Sequence, residues 1–154
     1  MTVEEGNLLI ADFNGDSYWV AVVYGYNYHL EANNKEEAEA EYELFKDQFP
    51  PDAVVEIKKV HECMYNYLWD DLMPVVDKIE SIHDEHHGYF GVHISSNGCS
   101  IQGPNLHKAI NDLSGYGWVY MSDPNAIFST KIESTWYNVV EFIKWYNANL
   151  NKIQ

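Results

Sequence analysis

Two short apolar runs open the chain, one on each side of a turn signal. Residues 7–13 have the sequence NLLIADF, and residues 17–26 have the sequence SYWVAVVYGY, which is rich in β-branched and aromatic side chains. Asn14-Gly15-Asp16 between them is typical of a tight turn. The pattern therefore predicts an N-terminal β-hairpin over residues 7–26.

The next segment has the spacing of an amphipathic helix with an acidic outer face. Asn33 or Asn34 can cap this helix, and Pro50-Pro51 stops it. Its predicted apolar stripe consists of Ala38, Tyr42, Phe45 and Phe49. Its acidic side chains are Glu36, Glu37, Glu39, Glu41 and Glu43.

Residues 53–60, AVVEIKKV, predict a third strand, and a second helix follows it. Asp70 is a candidate cap for that helix, and Pro74 lies either near its first turn or at a kink. We expect the helix to fray near residues 83–87 and to end at Gly88. Its predicted apolar stripe is Leu68, Leu72, Val75, Val76, Ile79 and Ile82.

Residues 89–103 carry a hairpin signal, because Asn97-Gly98 is a favoured type I′ turn. That turn would pair Ile94 with Ile101 and place both on one face with Phe90 and Val92. A short helix after Pro104 and a strand over residues 117–121 are predicted next. A final helix begins at the capping-box sequence of residues 130–133. Its apolar stripe is Trp136, Val139, Val140, Ile143 and Tyr146.

This order of elements predicts an α+β fold in a single domain. An antiparallel or mixed β-sheet would be covered by helices on both faces. The length of 154 residues is that of one domain, and a 46% hydrophobic composition supports one sizeable core. The chain has neither an apolar run long enough for a membrane helix nor a recognisable secretory signal, which predicts a cytoplasmic protein.

Acidic residues dominate the charge of the chain. There are 24 Asp and Glu against nine basic residues, all of them Lys, for a net charge of −15. Arg, the usual residue for bidentate phosphate and guanine recognition, is absent, and the negative charge repels nucleic acid and acidic lipid. Direct nucleic-acid or membrane binding is therefore not expected, whereas a protein with a basic surface is a favoured partner. The alternative is that the charge serves solubility alone.

The aromatic content suggests a second type of contact. Twelve Tyr, five Trp and six Phe are numerous for one small core. Exposed tyrosines are common in binding surfaces, and Tyr24, Tyr26 and Tyr28 lie close in sequence to the acidic helix. These tyrosines could instead be half-buried on a sheet face, or line a pocket for a small ligand.

The stretch IHDEHHGYF (82–90) is the best candidate for a metal site. If it were helical, His83 and His87 would lie on one side of the helix, with His86 beside them. Zinc would then need another ligand from elsewhere, such as His61 or Cys63. The alternative is a solvated histidine cluster at a helix C-terminus, where cationic His is favourable.

No motif indicates an enzyme. His61 and Cys63 could form a His-x-Cys dyad if both lay on one strand, but no orienting group or oxyanion motif accompanies them. Glycine-rich phosphate loops and nucleophile elbows are absent from the sequence. We therefore expect no catalytic residue and no required cofactor.

The last 60% of the chain resembles a family of small uncharacterised proteins of Bacteroidetes-type genomes, their mobile elements and their phages. The resemblance rests on LMPVVDKIE (72–80), YFGVHIS (89–95), GWVYMSDPNAI (117–127) and KIESTWYNVVEFIKWYN (131–147). It implies a phage-type αβα-sandwich domain in a bacterial host and carries no catalytic residue. Residues 1–63 are the more acidic part and lie outside the resemblance.

Together these features predict a non-enzymatic, acidic binding protein of phage or mobile-element origin. Its acidic helix and neighbouring tyrosines would occupy a basic site on a host or defence protein, such as the nucleic-acid groove of a nuclease. A metal-binding protein built on residues 83–87 and a small-ligand-binding protein with an aromatic pocket are the alternatives.

Overall fold

Helices and short antiparallel strands alternate through the structure, a computed structural model that describes residues 1–26, 28–84, 88–95, 98–102 and 128–153. The predicted α+β class is confirmed. The helix predicted after Pro104 and the strand predicted over 117–121 lie outside the described residues. The elements are α1 (Val3–Asn14), β1 (Tyr18–Val23), β2 (Tyr28–Ala32), α2 (Lys35–Phe45), a 3-10 turn (Lys46–Gln48), β3 (Val55–Val60), α3 (Trp69–Ser81), β4 (His83–Asp84), β5 (Gly88–Tyr89), β6 (Gly91–Ser95), β7 (Gly98–Gln102) and α4 (Lys131–Ile153).

The chain divides into two compact units, one interrupting the other in sequence. The inserted unit is Gly15–Glu62, and the main unit combines Met1–Asn14 with Cys63–Gln154. Among the described residues, no helix has both the length and the apolar character needed to cross a bilayer.

The strand predicted over residues 7–13 is wrong, because this segment belongs to helix α1. A capping box starts the helix. The Glu5 amide donates to Thr2 Oγ1 at 3.2 Å, and the Thr2 amide donates to Glu5 Oε2 at 2.7 Å. Asn7, Ile10 and Ala11 are buried at helical spacing. The predicted N-terminal hairpin is therefore replaced by a helix that ends before Gly15.

Helices α3 and α4 supply most of the main unit's core. In α4 the predicted stripe is confirmed, with Val139, Val140 and Ile143 fully buried and Trp136 and Tyr146 packed beside them. The α4 cap is also confirmed. The Glu133 amide donates to Thr130 Oγ1 at 3.2 Å, and Glu133 Oε2 accepts from the Ser129 amide at 2.8 Å.

Helix α3 buries four members of its predicted stripe, whereas Leu68 is 42% exposed, and the helix begins differently from the prediction. Leu72, Val75, Val76 and Ile79 are buried. Leu68, not Asp70, occupies the N-cap position, and it provides no side-chain hydrogen bond. Pro74 lies inside the helix, where it removes one backbone donor.

The hairpin of β6 and β7 is confirmed, with a register two residues away from the predicted one. Ile94 lies opposite Cys99, and Val92 lies opposite Ile101. Gly98 begins β7 and does not form the turn. Because side chains alternate with a period of two, this shift leaves Val92, Ile94 and Ile101 on the same face, as predicted.

The inserted unit is a three-stranded antiparallel sheet in the order β2-β1-β3, with α2 packed against it. Asn34 caps α2 as predicted, accepting from the Glu37 amide at 2.8 Å. The predicted strand over residues 53–60 corresponds to β3. Ala21, Val23 and Ala32 share one face of the sheet, and they are buried together with Ala38 of α2. This face is therefore the one that the helix covers.

Candidate functional site

Helix α2 presents its glutamates in two groups. Glu36, Glu39 and Glu43 are exposed, while Glu37 and Glu41 are half-buried. This division follows from the 3.6-residue helical repeat, because Ala38 faces the sheet and positions 36, 39 and 43 point the opposite way. The five predicted glutamates therefore do not form one surface.

An exposed acidic row runs along the outer side of α2 and continues into the 3-10 turn. Its members are Glu36, Glu39, Glu43 and Asp47, spaced three, four and four residues apart. On a helix, such spacing puts the Cβ atoms of neighbouring members about 5–6 Å apart. Asp47 was not among the predicted site residues, although its i+4 relation to Glu43 was a usable signal.

Two lysines lie along this row without neutralising it. Lys35 Nζ is 3.5 Å from Glu39 Oε1, and Lys46 forms an ion pair with Glu43. Both pairs are about half exposed, so each contributes only roughly 0–1 kcal/mol and can exchange for a stronger partner. Four carboxylates against two ammonium groups leave the row with a net negative charge. Glu36 has no ion-pair partner among the described residues.

Glu37 has a structural role. Its Oε2 accepts from the backbone amide of Asn33 at 3.0 Å and from Asn33 Nδ2 at 3.1 Å. Because its own amide donates to Asn34, the side chain and backbone together fix the start of α2. Glu37 therefore contributes to the helix cap more than to the exposed charge.

Tyr26 lies next to the C-terminal end of α2. Its ring centroid is 5.4 Å from that of Phe49 in an edge-to-face arrangement, and the Phe49 amide donates to the Lys46 carbonyl at 3.1 Å. Tyr26 remains 43% exposed, so its ring is accessible beside the end of the acidic row. Tyr26 and Phe49 are more than twenty residues apart in sequence, and their contact brings one of the predicted tyrosines to the end of the acidic helix segment.

Tyr24 lies on the other face of the sheet. Its hydroxyl donates to the Glu56 carboxylate, and Glu56 is opposite Val22 on the face that α2 does not cover. This hydrogen bond lowers the pKa of Glu56 and raises the pKa of Tyr24 from their ordinary values. The structure thus separates Tyr24 from the acidic row, and the side chain of Tyr28 lies outside the described residues.

The helical geometry proposed for the histidine cluster is wrong at His83. Helix α3 ends at Ser81, and His83 lies in strand β4 opposite Tyr89, with ring centroids 4.8 Å apart. His86 and His87 lie outside the described residues. Among the residues that the structure describes, no group of three or more His, Cys, Asp or Glu side chains could hold a metal ion. Zinc binding stays a prediction.

The strand proposed to align His61 with Cys63 ends at Val60. His61 and Cys63 follow the end of β3 in irregular structure, so the strand that would align them as a dyad is missing there. Cys99 is buried, and its burial raises the pKa of the thiol to about 11. A thiol with so high a pKa is a poor nucleophile at neutral pH.

Comparison of the chain with protein-family models, curated proteins and solved structures finds no match. The resemblance to small phage and Bacteroidetes proteins therefore stays a prediction. The features of this chain that point to a function are therefore the acidic row and Tyr26 beside it.

Proposed function

We propose that this chain is a non-enzymatic binding protein whose acidic row engages a basic surface on a partner protein. One observation carries the proposal: Glu36, Glu39, Glu43 and Asp47 are all exposed on one side of the inserted unit. The absence of Arg and the net charge of −15 support it, because the chain has few cations that could compete for these carboxylates.

The length of the row suits an elongated basic groove. From Glu36 to Asp47 the helical rise of 1.5 Å per residue gives about 16 Å. A nucleic-acid backbone likewise presents regularly repeated negative charge. The preferred partner is therefore a nucleic-acid-binding protein, and binding would block its groove.

Tyr26 adds an apolar contact to the electrostatic attraction of the acidic row. An exposed aromatic side chain loses little conformational entropy on binding, and Tyr is enriched at interfaces. Its packing against Phe49 positions the ring before any partner arrives. In the same proposal, the chain belongs to a phage or mobile element, and the blocked protein is a host or defence factor such as a nuclease.

A competition experiment tests the acidic row. Purified nucleases would be assayed on double-stranded DNA with increasing amounts of the chain at about 50 mM and 500 mM NaCl. We expect inhibition of at least one enzyme at low salt and its loss at high salt, since screening weakens exposed charge pairs. The triple variant E36Q/E39Q/E43Q should inhibit at least about tenfold more weakly.

The matched control removes the same charge elsewhere. E31Q/D52N/E141Q also neutralises three carboxylates, and one of these, Glu141, forms an i,i+3 ion pair with Lys144 like that of Glu43 with Lys46. This control should inhibit like the unmodified chain. Equal weakening by both triple variants would assign the effect to net charge, and inhibition that ignores salt would contradict the electrostatic proposal.

A further inference from the structure

A second exposed surface lies in the main unit, where the chain enters helix α3. Five large apolar side chains there are between 37% and 72% exposed. A soluble monomer rarely leaves so many large apolar groups exposed together, and Trp and Tyr are the residues most enriched at interface hot spots. We call this surface the α3 patch. It consists of Met64, Tyr67, Leu68, Trp69 and Met73.

Hydrogen bonds bring the members of the α3 patch together. The Tyr67 and Leu68 amides both donate to the Met64 carbonyl, at 2.9 and 2.8 Å, which closes a turn before the helix. The Met64 amide donates to Asp71 Oδ2 at 2.6 Å, so the turn is tied to the first turn of α3. Trp69 and Met73 are four residues apart on that helix and therefore lie on one side of it.

Contacts with the main core and with α1 hold the segment of the α3 patch in place. Tyr65, between the exposed residues, is fully buried in the main core. Asn66 Oδ1 accepts from Asn7 Nδ2 at 2.8 Å, which ties the same turn to α1. The apolar side chains are thus held in place before binding, and a partner would lose less entropy on docking.

The acidic residues around the α3 patch favour a partner that carries positive charge. Residues 63–77 of the main unit contain three acids and no cation: Asp70, Asp71 and Asp77. Lys78, the next cation, turns inward and donates to the Phe13 carbonyl. A second copy of the chain would bring a net charge of −15 and the same acidic rim, so like charges would oppose self-association.

We propose that the α3 patch binds a short amphipathic segment of a partner protein, with apolar side chains that cover Trp69 and Tyr67 and flanking Lys or Arg that meet Asp70 and Asp77. Met64 and Met73 suit this role, because flexible thioethers adapt to different apolar side chains. The proposal depends on residues of the main unit alone and does not require the acidic row to function.

The test uses a labelled 14-residue peptide of Leu and Lys in an amphipathic helical pattern, titrated with the full chain by fluorescence anisotropy. A peptide of the same composition in an order without an apolar face is the first control. At about 300 mM NaCl, where exposed charges are largely screened, we expect the patterned peptide to bind at least about tenfold more tightly than the control peptide. Equal binding of the two peptides would overturn the proposal.

Variants of the chain locate the binding site. Y67A and W69A should each weaken binding by about tenfold or more, while L44A, which truncates an exposed leucine of α2, should change it less than about twofold. D70N/D77N should weaken binding at low salt more than at high salt. Because Tyr67 is 72% exposed, the Y67A chain is expected to fold normally even if W69A does not.

The two proposals fail in different ways. Loss of peptide binding in E36Q/E39Q/E43Q but not in Y67A would place the peptide on the acidic row and overturn the α3 patch. Loss in Y67A but not in E36Q/E39Q/E43Q supports the patch, whatever the nuclease assay shows. Concentration-dependent dimerisation that W69A abolishes, measured by sedimentation, would assign the patch to a second copy and overturn the proposed partner.

Discussion

The indole of Trp136 in α4 fills the space that a side chain on Gly6 of α1 would need. A Cβ atom at Gly6 would lie 2.4 Å from Cζ2 of Trp136 and 2.9 Å from Cη2. The Trp136 Nε1 donates to Asn7 Oδ1 at 2.8 Å from the same side. The two helices therefore pack closely where Gly6, the smallest residue of α1, lies against the indole ring of Trp136.

Gly6→Ala is expected to destabilise the chain by about 1–3 kcal/mol, because overpacking displaces a well-supported ring. This is the opposite of the usual effect in a helix, where Ala is favoured over Gly by roughly 0.5–1 kcal/mol. Urea unfolding followed by circular dichroism measures the change. In a W136F background, which removes the clashing part of the ring, the same substitution should cost much less. A G6A chain as stable as the unmodified one would contradict this close packing.

Lys78→Met is expected to cost about 1–2 kcal/mol. The Lys78 ammonium donates to the Phe13 carbonyl at the end of α1 and lies 5.0 Å from the centre of the Phe13 ring. It thus satisfies a carbonyl at a helix end that has no cation of its own. Lys144→Met is the matched control, since Lys144 only forms an exposed pair with Glu141 and should change stability by less than about 0.5 kcal/mol. Equal losses of unfolding free energy in the two variants would contradict a capping role of Lys78 at the end of α1.

Tyr24→Phe is expected to raise the pKa of Glu56 towards its ordinary value. The hydrogen bond from Tyr24 lowers that pKa, so Glu56 contributes stability above its unfolded pKa that is lost as the pH falls through the folded value. Tyr24, whose pKa is raised, contributes stability below its unfolded pKa that is lost as the pH rises through the folded value. Carboxylate titration by NMR checks the shift at Glu56. Tyr26→Phe is the control and should leave the titration of Glu56 unchanged.

Cys99 is expected to react much more slowly than Cys63 with an aromatic disulfide reagent at pH 8. With a thiol pKa of about 11, roughly one Cys99 in a thousand carries a thiolate at that pH, and its side chain is buried. Cys63 is only half-buried. The native chain should show one faster-reacting thiol, which Cys63→Ser removes, and two in urea. A fast thiol that persists in the C63S chain would contradict the burial of Cys99.

Sequence patterns predicted α4 best, because it combines a Thr cap with a long apolar stripe and local and tertiary preferences agree there. In α2 the Asn34 cap was predicted correctly, but of the predicted stripe only Ala38 is buried and Phe49 lies beyond the helix. Helix α1 was missed because NLLIADF is short and suits either structure. Its capping box, Thr2 to Glu5, was present in the sequence and decided the outcome.

Tertiary contacts explain the shifted hairpin register. The Cys99 amide donates to Ser134 Oγ at 2.9 Å, and a Cβ at Gly98 would lie 3.1 Å from the same oxygen. Close packing of β7 on α4 therefore favours the register in which Gly98 is the first residue of the strand and not part of the turn. A dipeptide rule contains no information about a serine 36 residues away.

The candidate site was only partly predictable for a similar reason. Helical spacing identifies Glu36, Glu39 and Glu43 as outward-facing once Ala38 is known to face the sheet. It does not reveal that Tyr24 turns towards Glu56 while Tyr26 reaches Phe49, because those contacts depend on strand pairing and on the path after α2. The α3 patch as a whole could not be predicted from the sequence, since exposure of its residues depends on how the main core closes.

The interruption of the main unit by Gly15–Glu62 has a consequence for biosynthesis. Tyr18 lies opposite Val60, so the inserted segment begins and ends on neighbouring strands and can close as soon as β3 has been made. Helix α1 is translated before the inserted segment, yet its packing partners α3 and α4 are translated after that segment. A lone helix of 12 residues is marginal in water. Helix α1 is therefore synthesised before the inserted unit but becomes ordered only after that unit can close.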